Sequence, residues 1–204
     1  MSIPTRPRLR ERYERRRRTV VATAARLFAE QGYRQTSIED LVHATGLQRG
    51  GLYHYIDGKE HLLRLIHDDL MEPLLADAAA ILAAPAPPAD QLRSLMRVWV
   101  EHVASHRDHM VVFNEERRLI ESHPDWAEVR AAREAFREAV AGVLRRGLLR
   151  GEFASADPEI ALLAILGIVN HMPQWLQPGG RLTPAEIADR CSDLVLSGLL
   201  PRPV

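Results

Sequence analysis

The spacing of apolar side chains is the feature that most restricts how this chain can fold. They recur every three or four residues almost throughout, as on one face of an α-helix. The alternation of apolar and polar residues that marks a strand is nearly absent. The pattern therefore predicts an all-α protein of about nine helices.

Glycine and polar capping residues divide the front of the chain into four helices. Gly32 and Gly46 end the first two, because glycine adopts the left-handed conformation that follows many helices. Thr36 or Ser37 is suited to cap the second helix, and Asp57 to cap the fourth. The predicted segments are 13–31, 37–46, 48–54 and a long helix from 57 to the proline-rich stretch 84–90.

Five further helices are predicted after the proline-rich stretch. Asp157 precedes a proline and an acid, the order of an N-cap and a first helical turn. Thr183 and Glu186 have the spacing of a capping box. The predicted segments are 92–106, 110–121, 126–150, one opening at 158 and closing before 177–182, and a last one from 184.

Charge is distributed unevenly, although the whole chain is neutral. Residues 1–60 hold 12 Lys and Arg against 7 Asp and Glu, and the remaining residues hold 15 against 20. A basic front favours contact with a polyanion such as DNA. The arginine run at 15–18 is equally compatible with a solvated helix face.

The second and third predicted helices have the form of a helix-turn-helix joined through Gly46. In such a unit the second helix enters the major groove of DNA, where Gln pairs with adenine and Arg with guanine. Gln48 and Arg49 open that helix, and Tyr53 and His54 follow on it. Leu52, Tyr55 and Ile56 are predicted to pack inward.

The stretch "TSIEDLVHATGLQRGGLYHYIDGKEHLL" resembles the DNA-binding module of the tetracycline-repressor (TetR) family of bacterial transcription regulators. The resemblance implies a DNA-binding domain over 1–58 and an effector-binding and dimerisation domain over 59–204. It also implies that Tyr53 and Lys59 contact phosphate, whereas Gly51 replaces a side chain that relatives often carry. The implied DNA-contacting set is Thr36, Gln48, Arg49, Gly51, Tyr53, His54 and Lys59.

The last two predicted helices are strongly apolar. The resemblance implies that they pair with the same helices of a second copy, which would place two recognition helices on a palindromic operator. The alternative is that they only complete the core of one chain.

The segments "NHMPQWLQPGG" and "VVFNEERRLIESHP" resemble those of TetR-family regulators of lipid and steroid breakdown, whose effectors are acyl-CoA thioesters. Apolar stripes with a few polar groups fit such a ligand. Each aromatic side chain is also compatible with a core position, and Arg117 with an ion pair to Glu121. The candidate effector residues are Trp99, Phe113, Asn114, Arg117, Phe136, Asn170, His171, Gln174 and Trp175.

Other classes of function find little support in the sequence. The single cysteine, Cys191, and the lack of long apolar runs favour a cytoplasmic protein that does not enter a membrane. No catalytic motif and no cofactor signature appear. His102, His106 and His109 share a helix face, which fits either a metal site or a helix end. The alternatives left open are a TetR-type regulator with another apolar or aromatic effector, and a helical interaction protein.

Overall fold

The structure is a computed structural model that describes residues 7–154, 157–177 and 179–199. These residues form ten α-helices and one 3-10 turn and contain no strand, so the predicted all-α class is confirmed. The helices are α1 (Pro7–Gln31), α2 (Ile38–Thr45), α3 (Arg49–Leu52), α4 (Lys59–Ala83), α5 (Pro88–Ser105), α6 (Arg107–Glu115), α7 (Arg117–Ser122), α8 (Ala127–Leu149), α9 (Pro158–Trp175) and α10 (Pro184–Leu199).

The predicted helix ends follow local capping chemistry. The Asp157 carboxylate accepts from the Glu159 N–H at 2.9 Å, and the Thr183 hydroxyl accepts from the Glu186 N–H at 3.2 Å. Ser37 rather than Thr36 caps α2, through a reciprocal box with Asp40. Each of these contacts satisfies a backbone N–H that the first helical turn leaves without a partner.

Several predicted boundaries are wrong: α1, α5 and α6 begin at Pro7, Pro88 and Arg107, earlier than predicted. The segment predicted as one helix over 110–121 is two, because the backbone at Glu116 leaves the helical range and separates α6 from α7. Gly58 instead of Asp57 precedes α4, and the Asp57 N–H is bonded to the His61 ring at 3.0 Å. Helix α3 is a single turn, in keeping with the low helix propensity of Gly50 and Gly51.

Two apolar clusters form the core, and α4 takes part in both. Leu62, Leu63 and Ile66 pack with α1, α2 and α3, and Leu70 and Leu74 pack with α5, α8, α9 and α10. The first cluster also includes four residues of the second half of the chain, Val112, Ile120, Trp126 and Val129. One continuous helix therefore connects the front of the protein to its larger helical bundle.

The domain boundary at residue 58 stays a prediction, and it coincides with the turn before α4. Within the three described stretches, none of the helices combines the length and the apolar character that crossing a membrane requires.

Candidate DNA-binding surface and effector cavity

The turn between α2 and α3 depends on Gly46. This residue adopts φ 65° and ψ 20°, a left-handed conformation that glycine reaches without strain, and its N–H donates to the His43 carbonyl. Leu41, Leu52 and Ile56 are fully buried on either side of the turn. Their burial against α1 fixes the direction in which the opposite face of α3 points.

That opposite face is exposed and carries varied hydrogen-bonding groups. Gln48, Arg49, Tyr53 and His54 are all exposed, and Tyr53 has 40% of its surface accessible. The Arg49 guanidinium pairs with the Glu39 carboxylate at 2.9 Å. An amide, a guanidinium, a phenol and an imidazole are the groups that read base edges and phosphates in the major groove.

Tyr55 packs inward, as predicted, and helps to position His54. Its ring is half-buried and stacks on Tyr13 of α1 with 5.1 Å between centroids. The Tyr13 hydroxyl donates to the backbone carbonyl of His54 at 3.5 Å, and the two rings meet edge to face. Helix α1 thus supports the exposed residues from behind.

Thr36 and Lys59 have contacts inside the protein that the sequence did not indicate. Thr36 is 1% exposed, and its hydroxyl donates to the Gly32 carbonyl at 2.8 Å. The prediction that Thr36 contacts DNA is therefore corrected. Lys59 lies above the Tyr33 ring and donates to the carbonyls of Arg34 and Thr36 at 3.2 and 3.0 Å. It holds the α1–α2 loop against the start of α4.

Three arginines of α1 lie beside this surface and were missing from the predicted set. Arg12, Arg15 and Arg16 line the same groove as His54 and Tyr55. Arg16 also donates to the Thr45 carbonyl at 3.4 Å, next to the helix-turn-helix turn. The arginine run at 15–18 pointed to Arg15 and Arg16, but only the packing of α1 shows which arginines line the groove.

A second site is a cavity of about 400 Å³ enclosed by helices α4 to α9. Its walls are mostly apolar and aromatic, and Trp99 and Phe136 meet edge to face with 4.8 Å between ring centroids. Six candidate effector residues line it, and these are Trp99, Phe113, Asn114, Arg117, Phe136 and Asn170. The other apolar lining residues are Leu70, Met71, Leu74, Val103, Met110 and Leu166.

The polar part of the lining contains more guanidinium groups than carboxylates. Arg117 pairs with Glu121 at 2.5 Å and Arg137 with Glu134 at 2.9 Å. Arg130 donates instead to the carbonyls of Ile120 and His123. These residues come from α7 and α8, so one side of the cavity is cationic.

Arg133 is the most unusual of these residues. It forms no ion pair with a carboxylate of the described residues; its Nη2 donates to the Phe113 carbonyl at 2.8 Å, and its guanidinium lies 3.7 Å from the centre of the Phe113 ring. Its Nε is buried and has no partner in the described part of the chain. Burial lowers the pKa of Arg133 to about 10, so the group remains charged at neutral pH. Such a cation favours an anion in the cavity.

Three candidate effector residues, His171, Gln174 and Trp175, do not line this cavity, so their predicted effector contact is corrected. Gln174 lies in a separate groove between α1 and the α5–α6 junction, and His171 is exposed. Trp175 has 47% of its surface accessible at the end of α9. Leu166 and Asn170 are four residues apart, so they share the face of α9 that lines the cavity. His171, Gln174 and Trp175 lie on other faces of the same helix or at its end.

Large aliphatic side chains are exposed on both α9 and α10. Ile160, Leu163 and Leu194 are 63%, 54% and 70% exposed, and half-buried Ile187 and Cys191 lie near Leu194 on α10. The α9 residues recur at helical spacing along one stripe, and the two helices touch. Large exposed aliphatic side chains in one stripe are typical of a protein–protein contact.

The three histidines of the α5–α6 junction lie side by side. The ring centroids of His102 and His106 are 4.3 Å apart, and those of His106 and His109 are 5.4 Å apart. No group of three or more His, Cys, Asp or Glu side chains is arranged to bind a metal within the described ranges. His102 faces the effector cavity, whereas His106 and His109 line the groove that Gln174 shares.

A helix-turn-helix with an exposed recognition surface, connected by one helix to a bundle with a cavity, defines a DNA-binding regulator. The profile of "Bacterial regulatory proteins, tetR family" matches residues 20–66, and that of "Tetracyclin repressor-like, C-terminal domain" matches residues 85–199. The chain belongs to the tetR family of bacterial transcription regulators.

Several relatives resemble the chain over nearly its whole length. The HTH-type transcriptional repressor KstR2 of Rhodococcus jostii is 28% identical over 185 residues, which cover 90% of this chain and 91% of the relative. The solved structure of the ketosteroid transcriptional regulator KstR2 of Mycobacterium tuberculosis has a TM-score of 0.86 and 26% identity, with 92% and 96% of the two chains covered. AibR, solved in complex with isovaleryl coenzyme A and operator DNA, has a TM-score of 0.75 and 27% identity, with 88% and 97% covered.

Proposed function

We propose that this regulator is a cytoplasmic homodimeric repressor that leaves a palindromic operator when an acyl-CoA thioester fills its cavity. The observation that carries the proposal is the combination of apolar walls with the charged, unpaired Arg133 inside one cavity. An acyl chain matches the walls, and the phosphates of coenzyme A match a cationic side. Two relatives support this reading, since AibR binds isovaleryl coenzyme A and KstR2 is a ketosteroid regulator.

The proposed DNA contacts follow from the exposed face of the helix-turn-helix. Gln48, Arg49 and His54 face base edges, with Gly51 allowing close approach of the backbone. Tyr53 contacts a phosphate. Lys59 has one ammonium hydrogen left after its two carbonyl contacts, and this hydrogen contacts a phosphate near the start of α4.

The proposed dimer forms through the exposed stripe on α9 and α10. Pairing Ile160, Leu163 and Leu194 with their copies removes apolar surface from water, which stabilises association by about 25 cal/mol per Å². A two-fold axis through this face repeats the recognition surface, as a palindromic operator requires.

Helices α4 and α6 provide a path between the two sites. Leu70, Met71 and Leu74 of α4 line the cavity, and the same helix begins at Lys59 beside the DNA-binding surface. Pro73 lies among these cavity-lining residues and lacks the N–H that would bond the carbonyl one turn earlier, which makes this part of α4 easier to bend. Helix α6 lines the cavity and packs on α1. An effector that binds one arrangement of α4 and α6 more tightly shifts the population away from the DNA-bound form.

The direct test measures binding of acyl-CoA esters by calorimetry to the wild type and to two matched variants. Arg133→Met removes the unpaired guanidinium from the cavity, and Arg145→Met removes one from the outer face of the same helix, where it pairs with Glu138. Arg133→Met is expected to weaken ester binding about tenfold or more, the loss of a charge-assisted hydrogen bond, and Arg145→Met to leave it unchanged. Equal affinities of the two variants, or binding of the free acids as tightly as of their esters, would contradict the proposal.

A further inference from the structure

The first half of helix α1 carries more positive charge than the protein itself neutralises. Residues 7–18 contain seven arginines and two glutamates, and every one of these arginines except Arg17 is exposed. Two ion pairs form within this stretch, Arg15 with Glu11 and Arg17 with Glu14, both at 3.2 Å. The other five arginines form no ion pair with a carboxylate of the described residues.

Three of these five arginines lie on one side of α1. Arg8, Arg12 and Arg16 are four residues apart, a spacing that places side chains one above another along a helix. Arg12 and Arg16 line the groove that His54 shares, and the Arg16 guanidinium donates to the Thr45 carbonyl at 3.4 Å. These three residues form an arginine stripe, which begins beside the recognition surface and continues along α1 to Arg8.

The charge pattern of the arginine stripe differs from that of a helix face that only contacts water. Such a face is stabilised by opposite charges four residues apart, whereas like charges at that spacing destabilise the helix slightly. Arg26 and Glu30, further along α1, form the stabilising pair at 3.2 Å. The stripe has like charges at the same spacing, so a polyanion lying against it would relieve their repulsion.

We propose that the arginine stripe binds the phosphate backbone of DNA beyond the half-site that α3 reads. The stripe is about 12 Å long, at about 1.5 Å per residue, which matches the length of about three or four base pairs. Guanidinium groups suit this role because they bind phosphate oxygens through two parallel hydrogen bonds. The family profile begins at residue 20, so the stripe lies outside the stretch that it matches. This inference does not depend on the identity of the effector.

The first experiment removes two charges from the stripe, and a matched control removes two from other sides of α1. Arg8→Gln/Arg12→Gln leaves Arg16 in place, since Arg16 also contacts the turn of the helix-turn-helix. Arg10→Gln/Arg18→Gln is the control, because both residues are exposed and lie off the stripe by helical spacing. Affinities for a selected operator duplex and for a random duplex are measured over a range of salt concentrations.

The stripe variant should flatten the slope of log affinity against log salt by about 0.9 for each lost phosphate contact, and by the same amount on both duplexes. The control should keep the wild-type slope. An unchanged slope in the stripe variant overturns the proposal. An equal change in the control also overturns it, because the effect would then come from net charge alone.

A second experiment separates the stripe from the contacts of α3. The selected duplex is compared with one extended by about six base pairs at each end, enough to cover the stripe. The wild type should bind the extended duplex about tenfold or more tightly. Arg8→Gln/Arg12→Gln should lose this gain and keep the preference for the selected sequence, whereas Arg49→Ala should keep the gain and lose the preference.

The two variants also distinguish the failure of each proposal. A flank gain that only the stripe variant loses upholds the stripe, even if Arg49→Ala leaves the sequence preference unchanged and so contradicts the proposed base contact. The absence of any gain from the flanks in the wild type overturns the stripe proposal and leaves the proposed contacts of α3 unaffected.

Discussion

At the scale of single residues, Arg49 is proposed to read a base edge, and an ion pair with Glu39 holds it on the exposed side of α3. Its partner Glu39 is also exposed, and the side chains have 65% and 68% of their surfaces accessible. Exposed ion pairs contribute only about 0–1 kcal/mol, so exchanging Glu39 for a guanine edge costs little. The pair holds the guanidinium on the recognition surface without competing strongly with DNA.

Replacement of Arg49 by Ala is expected to relax sequence preference at one symmetric pair of operator positions. The lost bidentate contact corresponds to about 1–3 kcal/mol in each half-site. The measurement compares affinity for a duplex selected from a random pool with affinity for single base-pair variants of it. Glu39→Gln is the control and should keep the preference. An equal loss of affinity for the selected and the random duplex would show that Arg49 only contacts phosphate.

His67 makes the free energy of unfolding depend on pH. Burial lowers the pKa of its folded-state ring to about 3, whereas the ordinary value is 6.5. The unfolded chain therefore takes up a proton that the folded chain does not, as pH falls through 6.5 towards 3. Stability from this residue is complete above pH 6.5 and is lost on acidification. From pH 7.5 to 5.5 the loss is about 1.4 kcal/mol.

The variant His67→Leu isolates this contribution. Denaturant unfolding at pH 7.5 and 5.5 should give a smaller loss of stability in the variant than in the wild type, by about 1.4 kcal/mol. The difference between the stability losses of the two proteins cancels the contribution of every other titrating group. One such group is His109, because burial lowers its pKa to about 4. An identical pH dependence in both proteins would mean that His67 is protonated in the folded state.

At the scale of elements, the sequence predicted what local chemistry determines. The caps at Asp157 and Thr183 and the turn at Gly46 act within a few residues, so their patterns are visible in the sequence. The break at Glu116 and the inward position of Thr36 depend on packing against other helices. No local pattern marks them, and both were predicted wrongly.

The apolar stripe on α9 and α10 gives an element-scale prediction. Leu163→Glu places a charge in the proposed dimer face and is expected to yield monomers, because burying an unpaired carboxylate is costly. Leu149→Glu is the control, since Leu149 is 87% exposed at the end of α8. One chain has a mass of 23.0 kDa. Light scattering should give about twice this mass for the wild type and for the control, and the mass of a single chain for Leu163→Glu.

Operator affinity provides an independent reading of the same variant. A monomer carries one recognition surface, so Leu163→Glu should bind the full duplex no better than a half-site. A dimeric Leu163→Glu protein, or a wild type that runs as a monomer, would exclude this face as the interface.

At the scale of the whole molecule, the continuous helix α4 is the element that the proposed mechanism depends on. It contributes to both apolar clusters, so its position is common to the cavity and to the DNA-binding surface. The sequence predicted a DNA-binding front, a helical bundle and six of the residues that line the cavity. It did not predict Arg130 and Arg133, because an arginine in the middle of a helix has the same local pattern whether it faces water or a cavity.

Release of operator DNA by an acyl-CoA ester tests the central claim most directly. Fluorescence anisotropy follows a labelled duplex, selected from a random pool, while CoA esters, free CoA and the free acids are added in turn. If an acyl-CoA thioester is the effector, at least one ester should release the duplex saturably, and free CoA and the free acids should not. Arg133→Met should bind the duplex normally and need about tenfold or more ester for half-release. A duplex that stays bound at saturating concentrations of every ester would contradict the proposal that an acyl-CoA thioester is the effector.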